Sequence, residues 1–312
     1  MHLLPLENRQ LFGMAHFFNE FVKLHKQKKM PNKILLTGKK GLGKSTLAYH
    51  VINYILSLDE DYNYNIDEFK INKNNKSYKL MQNYTHPNFH LVDLIDEKKT
   101  IDIKQIREMI IYTNKSSFNN MPRFILIDNI ENLNINSVNA LLKILEEPND
   151  GIFFILINNS EKKILSTLKS RCLSFKISFT FNETINTVSH LVKKNIFDLI
   201  NTDIINYYIT PGEIINLLHI ANENKINLLE HNLASLLNIL IGNGHYKKNK
   251  ITKILIINFI ELFFLKEYRA SNKKNSLLIF YHNFIDKIHN TSKFNLDEES
   301  LFLEFKSKLL NG

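Results

Sequence analysis

The octapeptide GKKGLGKS, residues 38–45, matches the phosphate-binding pattern G-x-x-x-x-G-K-[ST]. Glycines let successive backbone N–H groups turn toward phosphate oxygens, and a helix that follows presents its positive end to them. In this pattern Lys44 would reach the β- and γ-phosphates of a nucleotide, and the Ser45 hydroxyl would bind Mg²⁺. Three of the nine glycines in the chain fall in this octapeptide, which argues against a plain glycine turn. The predicted nucleotide-binding residues of the loop are Gly38, Lys39, Lys40, Gly41, Leu42, Gly43, Lys44, Ser45 and Thr46.

A second polar group follows the apolar run RFILID, residues 123–128. Asp128 could hold Mg²⁺ through a water, opposite Ser45; its structural alternative is the cap of a turn or helix. The next residue, Asn129, can hydrogen-bond a water but cannot take its proton. Glu131 is expected to lie off the strand, where it would be a poor substitute for a base. The expected ligand is therefore ATP with Mg²⁺, and the expected turnover by this site is slow or absent.

Two further candidates lie downstream, in LINNSEKKILSTLKSRCLSF. Asn158 ends a predicted strand and is placed to sense a γ-phosphate or its water. Arg171 follows the next predicted helix. Only five of the 40 basic residues are arginines, which favours a role for the planar, multi-donor guanidinium of Arg171. A surface salt bridge is the structural alternative, and these residues alone leave both interpretations of Arg171 open.

The candidates are placed by alternating strand and helix patterns. Apolar β-rich runs predict strands at 33–38, 88–94, 123–128 and 151–158, and helical patterns occupy 44–58, 101–115 and 135–148. Asp102 is placed to cap the second of these helices. The alternation predicts a three-layer α/β domain with a parallel sheet, ending near residue 178.

Beyond residue 178 the strand signal disappears. Short helical stretches fill 180–222, and longer amphipathic helices are predicted at 226–241, 251–269, 275–290 and 297–310. The polar, Asn- and Lys-rich segment 60–78 is predicted to be a loop excursion from the sheet.

Composition sets the broad class. A chain of 312 residues with 44% hydrophobic and 23% charged residues is expected to form two or three globular domains. The net charge of +9 favours polyanionic partners, nucleic acid first, although lysine is abundant throughout the chain. The single cysteine excludes an internal disulfide and a multi-cysteine zinc site. The amino terminus has no signal pattern and the most apolar run, 254–265, is too short to span a bilayer, so a cytoplasmic protein without membrane contact is expected.

The runs ALLKILEEP (140–148), FFILIN (153–158) and LKSRC (168–172) together resemble the clamp-loader branch of the AAA+ ATPases. More narrowly, the chain is similar to the delta-prime subunits of bacterial DNA polymerase III, because IDIKQIREM, THPNFHLVD and TPGEI also fall in the order expected for them. The resemblance covers the first 215 residues and, weakly, the C-terminal helices. It implies an AAA+ P-loop domain at 1–178, a small helical lid at 179–223 and an all-α collar at 224–312.

The resemblance also implies a function. In that family the arginine of SRC acts in trans on the ATP of a neighbouring subunit, and Arg171 would inherit this role as an arginine finger. The implied protein is a stator in a hetero-oligomer with gamma or tau motor subunits and a delta subunit, a complex that loads the sliding clamp on primed DNA. Positive charge on Lys39, Lys40, Lys143 and Lys169 could line the interior of such a ring, and a solvated surface is the alternative for each of them.

Two departures from the family matter. The zinc module usually found before the HP motif has no cysteines here, so no zinc is expected and His86 and His90 are predicted to be structural. The arginine common after Pro-Gly in the lid is Glu213.

Three alternatives remain. An active motor subunit of the same loader would carry glutamate at position 129. A self-contained P-loop enzyme, such as a small-molecule kinase, would need an arginine-rich lid. A nucleotide-independent scaffold predicts that Lys44→Ala changes nothing.

Overall fold

A computed structural model describes residues 4–95, 98–115, 121–160, 163–248, 250–270, 274–294 and 299–310. The chain divides into two compact units. Unit 1 comprises Met1–Thr187 and Thr210–Gly212, and unit 2 comprises Val188–Ile209 and Glu213–Gly312. The finer division into 1–178, 179–223 and 224–312 stays a prediction.

Unit 1 is built on a parallel sheet with the strand order β2-β3-β4-β1-β5. Its described elements are α1 (Ala15–Lys26), β1 (Lys33–Thr37), α2 (Lys44–Leu56), α3 (Lys76–Gln82), β2 (Phe89–Val92), α4 (Ile103–Asn114), β3 (Arg123–Ile127), α5 (Ile135–Glu146), β4 (Ile152–Asn158), α6 (Ser166–Ser170) and β5 (Leu173–Lys176). Helix α7 (Phe181–Val192) begins in this unit and ends in unit 2. The predicted parallel sheet and its four strands are confirmed.

Helices cover both faces of this sheet because its central strands are apolar at successive positions. Side chains of a strand point alternately to opposite faces. Accordingly, Ile34 and Leu36 of β1 pack in the core that contains α1 and α2. Leu35 packs in the separate core that contains α4 and α5. The predicted three-layer arrangement is therefore confirmed.

The segment 60–78 has no helix or named strand up to residue 75, in agreement with its prediction as a loop, but parts of it are buried. Tyr64 and Ile71 are buried in the core of α1 and α2, and α3 begins at Lys76. The carboxylate of Glu60 accepts hydrogen bonds from the backbone N–H groups of Lys76 (2.8 Å) and Ser77 (3.0 Å) at the start of this helix. The burial of Tyr64 and Ile71 was not predicted, because their spacing gives no helical or strand period that would reveal it.

The two histidines near β2 have the structural role that the sequence predicts. His86 Nε2 lies 3.1 Å from Ser77 Oγ, and His86 Nδ1 accepts the N–H of Asn88 at 3.1 Å. His90 stacks on Tyr112 with ring centroids 5.0 Å apart. Among the described residues, no cluster of three or more His, Cys, Asp or Glu side chains could hold a metal ion.

Unit 2 contains helices and 3₁₀ turns. Its helices are α8 (Pro211–Glu223), whose first two residues belong to unit 1, α9 (Leu233–Gly242), α10 (Lys250–Ala270), α11 (Lys274–Phe294) and α12 (Glu299–Phe305), followed by a π-helical turn (Lys306–Leu310). Helix α9 begins later than predicted because Asn232 caps it by accepting the N–H of Ser235. Phe264, Phe284 and Phe305 form an aromatic core in this unit, with centroids 5.6–5.9 Å apart. No helix in the described ranges combines the length and apolar character that crossing a membrane requires.

Candidate functional site

The predicted phosphate loop connects β1 to α2 at the carboxyl edge of the sheet. Strand β1 ends at Thr37, and α2 begins at Lys44. Gly43 caps the helix with φ of 85°, in the left-handed region where side chains other than glycine are strained. The first turn of α2 carries no acidic residue, so no carboxylate of the helix itself competes with an anion at its positive end.

Lys44 and Ser45 are the first two residues of α2, beside the predicted phosphate loop. The ammonium group of Lys44 is buried and folds across the loop, donating to the carbonyl oxygens of Gly38 (2.9 Å) and Lys39 (2.6 Å). The hydroxyl of Ser45 donates to the carboxylate of Asp128. Ser45 and Asp128 meet because only β4 lies between β1 and β3 in the parallel sheet, so the carboxyl ends of these strands share one edge.

The environment of Asp128 is suited to a cation. Burial, followed by the nearby carboxylate of Asp93, raises the pKa of Asp128 to about 6, against the opposing effects of Ser45, the Asn129 N–H and Lys44. A hard cation next to this carboxylate would offset the cost of burying its charge. A carboxylate and a hydroxyl are oxygen donors of the kind that Mg²⁺ prefers. The donor set therefore fits a magnesium–nucleotide complex.

Asn129 is held at both ends of its side-chain amide. Its Nδ2 donates to Asp93 Oδ1 at 2.7 Å, and its Oδ1 accepts from Asn159 Nδ2 at 2.8 Å. Its backbone is left-handed, with φ of 55° and ψ of 42°. Asp93 and Asn159 were not among the predicted site residues. The signal for Asp93 was available, since it follows β2 as Asp128 follows β3.

Two neighbouring residues complete this edge of the sheet. Glu131 lies in a 3₁₀ turn beyond β3, off the strand as predicted, and accepts the backbone N–H of Asn159 at 3.2 Å. Asn158 ends β4 beside Thr37, and its carbonyl accepts the N–H of Gly38 at 3.3 Å. Its side-chain Oδ1 accepts the N–H of Ser160 at 3.0 Å, which closes a local turn. Asn158 therefore adjoins the predicted phosphate loop, and its role in sensing a γ-phosphate or its water stays a prediction.

The segment Thr210–Gly212 packs directly on the loop within unit 1. The N–H of Gly212 donates to the carbonyl of Gly41 at 2.9 Å. A Cβ atom added to Gly212 would lie 2.6 Å from the Cα of Gly41, and one added to Gly41 would lie 2.5 Å from Thr210 Oγ1. Glycine is thus required on both sides of this contact.

Arg171 lies at the opposite edge of the sheet. It directly follows α6 and precedes β5, whose first residue, Leu173, pairs with Ile34, and whose last, Lys176, pairs with Thr37. The four residues of β5 run from the amino edge, where Arg171 lies, to the carboxyl edge, where the predicted phosphate loop lies. At roughly 3.3 Å per residue, this is a distance of about 10 Å. The structure therefore does not bring Arg171 together with the other predicted site residues.

Comparison of the sequence with known proteins identifies a matching family. The sequence model of the family described as "DNA polymerase III, delta subunit" matches residues 13–180. The DNA polymerase III subunit delta' of Buchnera aphidicola subsp. Schizaphis graminum is 31% identical over 180 residues, which cover 57% of this chain and 52% of the relative. The subunit gamma of the same organism is 30% identical over 233 residues, covering 72% of this chain and 61% of the relative. The chain thus spans about half to three fifths of the length of these two curated relatives.

Solved structures are also similar. A DNA polymerase III gamma subunit-related protein from Thermotoga maritima is 16% identical, with a TM-score of 0.43, over 92% of this chain and 97% of that protein.

Proposed function

The chain belongs to the DNA polymerase III delta subunit family, and we propose that it serves a clamp loader as a delta-prime-like stator. In this role it binds a nucleotide without hydrolysing it at a useful rate, and it completes the ATP site of a neighbouring motor subunit with Arg171. The observation that carries the proposal is the state of Asn129, whose amide is engaged by Asp93 and Asn159 at the place where hydrolysing relatives need a base.

The phosphate loop supports binding of ATP with Mg²⁺. The backbone N–H groups around Gly43 and the ammonium of Lys44 would hold the phosphates, and Ser45 and Asp128 would hold the ion. Bound Mg²⁺ supplies neutralising charge next to the phosphates. Asn129 can orient a water there but offers no group that accepts its proton at neutral pH. Nucleotide in this site would accordingly act as a ligand that stabilises the fold.

The position of Arg171 supports action in trans. The strand register puts this arginine at the edge of the sheet away from the chain's own phosphate loop. Its guanidinium is partly exposed, with a side-chain exposure of 32%, and can meet another protein. An arginine finger supplied in trans is worth roughly 10³–10⁵ in rate in related phosphoryl transfers. The proposed partners are gamma or tau motor subunits and delta, in a cytoplasmic hetero-oligomer that acts on the sliding clamp and primed DNA.

The test is DNA- and clamp-stimulated ATP turnover by the reconstituted loader, with substitutions in this chain only. Arg171→Ala should cause a large loss of turnover, whereas Lys44→Ala should be nearly silent. Arg269→Ala, at an exposed arginine of α10, is the matched control and should behave as wild type.

The other outcomes identify the alternatives. If Arg171→Ala is silent and Lys44→Ala abolishes turnover, the chain is a motor and the interpretation of Asn129 is wrong. If both variants are silent, the chain is a nucleotide-independent scaffold.

A further inference from the structure

The guanidinium of Arg171 is anchored at two points. Its Nη2 lies 2.5 Å from Oε1 of Glu146, the last residue of α5. Its Nη1 donates to the backbone carbonyl of Thr167, one turn earlier in α6, at 3.0 Å. The anchors therefore come from two different helices that end at the same edge of the sheet as Arg171.

We propose that Glu146 is a positioning residue for Arg171. It holds the guanidinium at this edge of the sheet so that the remaining donors can meet a phosphate group presented by a neighbouring subunit. The inference rests on the proposed function, because it concerns the arginine that would act in trans.

The donor inventory of arginine makes this arrangement workable. A guanidinium carries five N–H donors in a rigid plane. The contacts with Glu146 and Thr167 use one donor on each terminal nitrogen, which leaves Nε–H and one further N–H on each of the two terminal nitrogens. A polyphosphate can therefore be contacted while both anchors stay in place. The two anchors already restrict the rotamers of Arg171. Binding therefore costs less side-chain entropy, which is the general advantage of preorganisation.

The exposure of both side chains indicates that Glu146 orients the Arg171 guanidinium and adds little to folding stability. The side-chain exposures are 32% for Arg171 and 53% for Glu146. An ion pair exposed to this extent contributes little to folding stability, since solvent screens its attraction. Loss of the Glu146 carboxylate should therefore leave the fold intact and release the arginine.

Glu147 provides a matched control. It is the next residue in the chain, carries the same side chain and is also exposed, but it follows the end of α5 as its C-cap residue. Substitution of either glutamate removes one negative charge from the same surface. A difference between the two variants therefore reports the contact with Arg171 and not the local charge.

The test is a double-mutant cycle in the reconstituted loader, with DNA- and clamp-stimulated kcat and KM measured for Glu146→Ala, Glu147→Ala, Arg171→Ala and the Glu146→Ala/Arg171→Ala pair. Glu146→Ala should lower kcat on the order of tenfold with little change in KM, because the lost interaction belongs to the transition state. Glu147→Ala should match wild type. In the Arg171→Ala background, Glu146→Ala should cause no further loss, since its effect passes through the arginine.

A second readout does not depend on activity. The full chain contains five arginines, so its arginine Nε–H signals can be assigned by substitution and followed by NMR. The Arg171 guanidinium should be immobilised in wild type and in Glu147→Ala, and mobile in Glu146→Ala.

The outcomes separate the two proposals. If Arg171→Ala is silent, the proposed trans role fails. If Arg171→Ala is strongly impaired while Glu146→Ala equals Glu147→Ala, or adds to the loss in the Arg171→Ala background, positioning by Glu146 is overturned and the finger is not. Faster turnover by Glu146→Ala would also overturn positioning, because Glu146 would then hold the arginine back.

Discussion

The side chain of Asn129 is held between a carboxylate on one side and an amide on the other. The pKa of Asp93 is raised by burial, and the hydrogen bond from Asn129 opposes this increase. An acidic residue at position 129 would remove this donor and face Asp93 with a like charge. The present pair therefore makes an Asp-Glu or Asp-Asp sequence at 128–129 energetically costly in this structure.

The loss of stability can be measured by exchanging the two residue types at positions 129 and 93. Asn129→Asp should lower the free energy of unfolding by about 1–3 kcal/mol, because a partly buried carboxylate loses its donor and gains a like-charged neighbour. Asp93→Asn in the same chain restores a hydrogen bond of opposite direction and should recover most of the loss. Urea unfolding of the full chain measures both variants. A double variant no more stable than Asn129→Asp would contradict the pairing.

His50 makes the stability of unit 1 depend on pH. Its Nδ1 lies 2.8 Å from the Tyr64 hydroxyl and its Nε2 lies 2.9 Å from the carbonyl of Asn8, and burial lowers its pKa to about 4. Between the ordinary value near 6.5 and this lowered value, the unfolded chain binds the additional proton. The contribution of His50 to stability is therefore full above about pH 6.5 and falls by roughly 1.4 kcal/mol per pH unit as the pH drops toward the folded-state pKa.

The corresponding measurement is urea unfolding at pH 7 and pH 5. Wild type should lose about 2 kcal/mol more than His50→Gln over this interval, since glutamine does not titrate. Equal losses in the two proteins would show that His50 is not the group responsible.

The phosphate loop depends on an element distant in sequence, the start of α8. Gly212→Ala would place a Cβ atom 2.6 Å from the Cα of Gly41, so one backbone must move. The free energy of unfolding should fall by about 1–3 kcal/mol, the usual cost of overpacking, and affinity for ATP with Mg²⁺ should weaken with it. Urea unfolding and calorimetric titration with ATP measure the two effects.

Gly242→Ala is the control for this prediction. Its Cβ would meet only the flexible end of Lys306, at 2.7 Å from Nζ, which can turn away. Gly242→Ala should therefore change ATP affinity little, and equal effects of the two substitutions on affinity would argue against a specific contact with the loop.

For the molecule as a whole, nucleotide binding should appear as added stability. A ligand at 100 times its Kd stabilises the folded state by about 2.7 kcal/mol. Saturating ATP with Mg²⁺ should therefore raise the Tm of the full chain, and Lys44→Ala should abolish the increase. Lys143→Ala, at an exposed lysine of α5, is the control and should retain it. Absence of any shift in wild type would support the nucleotide-independent scaffold.

Local patterns were sufficient to predict much of this protein. Glycine spacing predicted the phosphate loop, and short apolar runs predicted four of the strands, because both signals are contained within a few neighbouring residues. The capping box at the start of α4 belongs to the same class, with Asp102 accepting the N–H groups of Lys104 and Gln105 as its position predicted. Helices α1 and α3 and the edge strand β5 were not predicted. The signal for α1 was available, because its buried residues Phe18, Phe21 and Val22 have helical spacing. Helix α3 has only seven residues and β5 only four, most of them exposed, so their patterns are short and weak.

Pairings between distant parts of the chain were decided only by the tertiary structure. Asn129 meets Asp93, 36 residues earlier, because β2 and β3 are neighbours in the sheet. Arg171 meets Glu146, 25 residues earlier, because α5 and α6 end at the same edge. Each residue type was visible in the sequence, but its partner depends on strand order and helix packing, which no local pattern contains. The sequence therefore supplied most residues of the candidate nucleotide site, whereas the groups that restrain Asn129 and Arg171 followed from the fold.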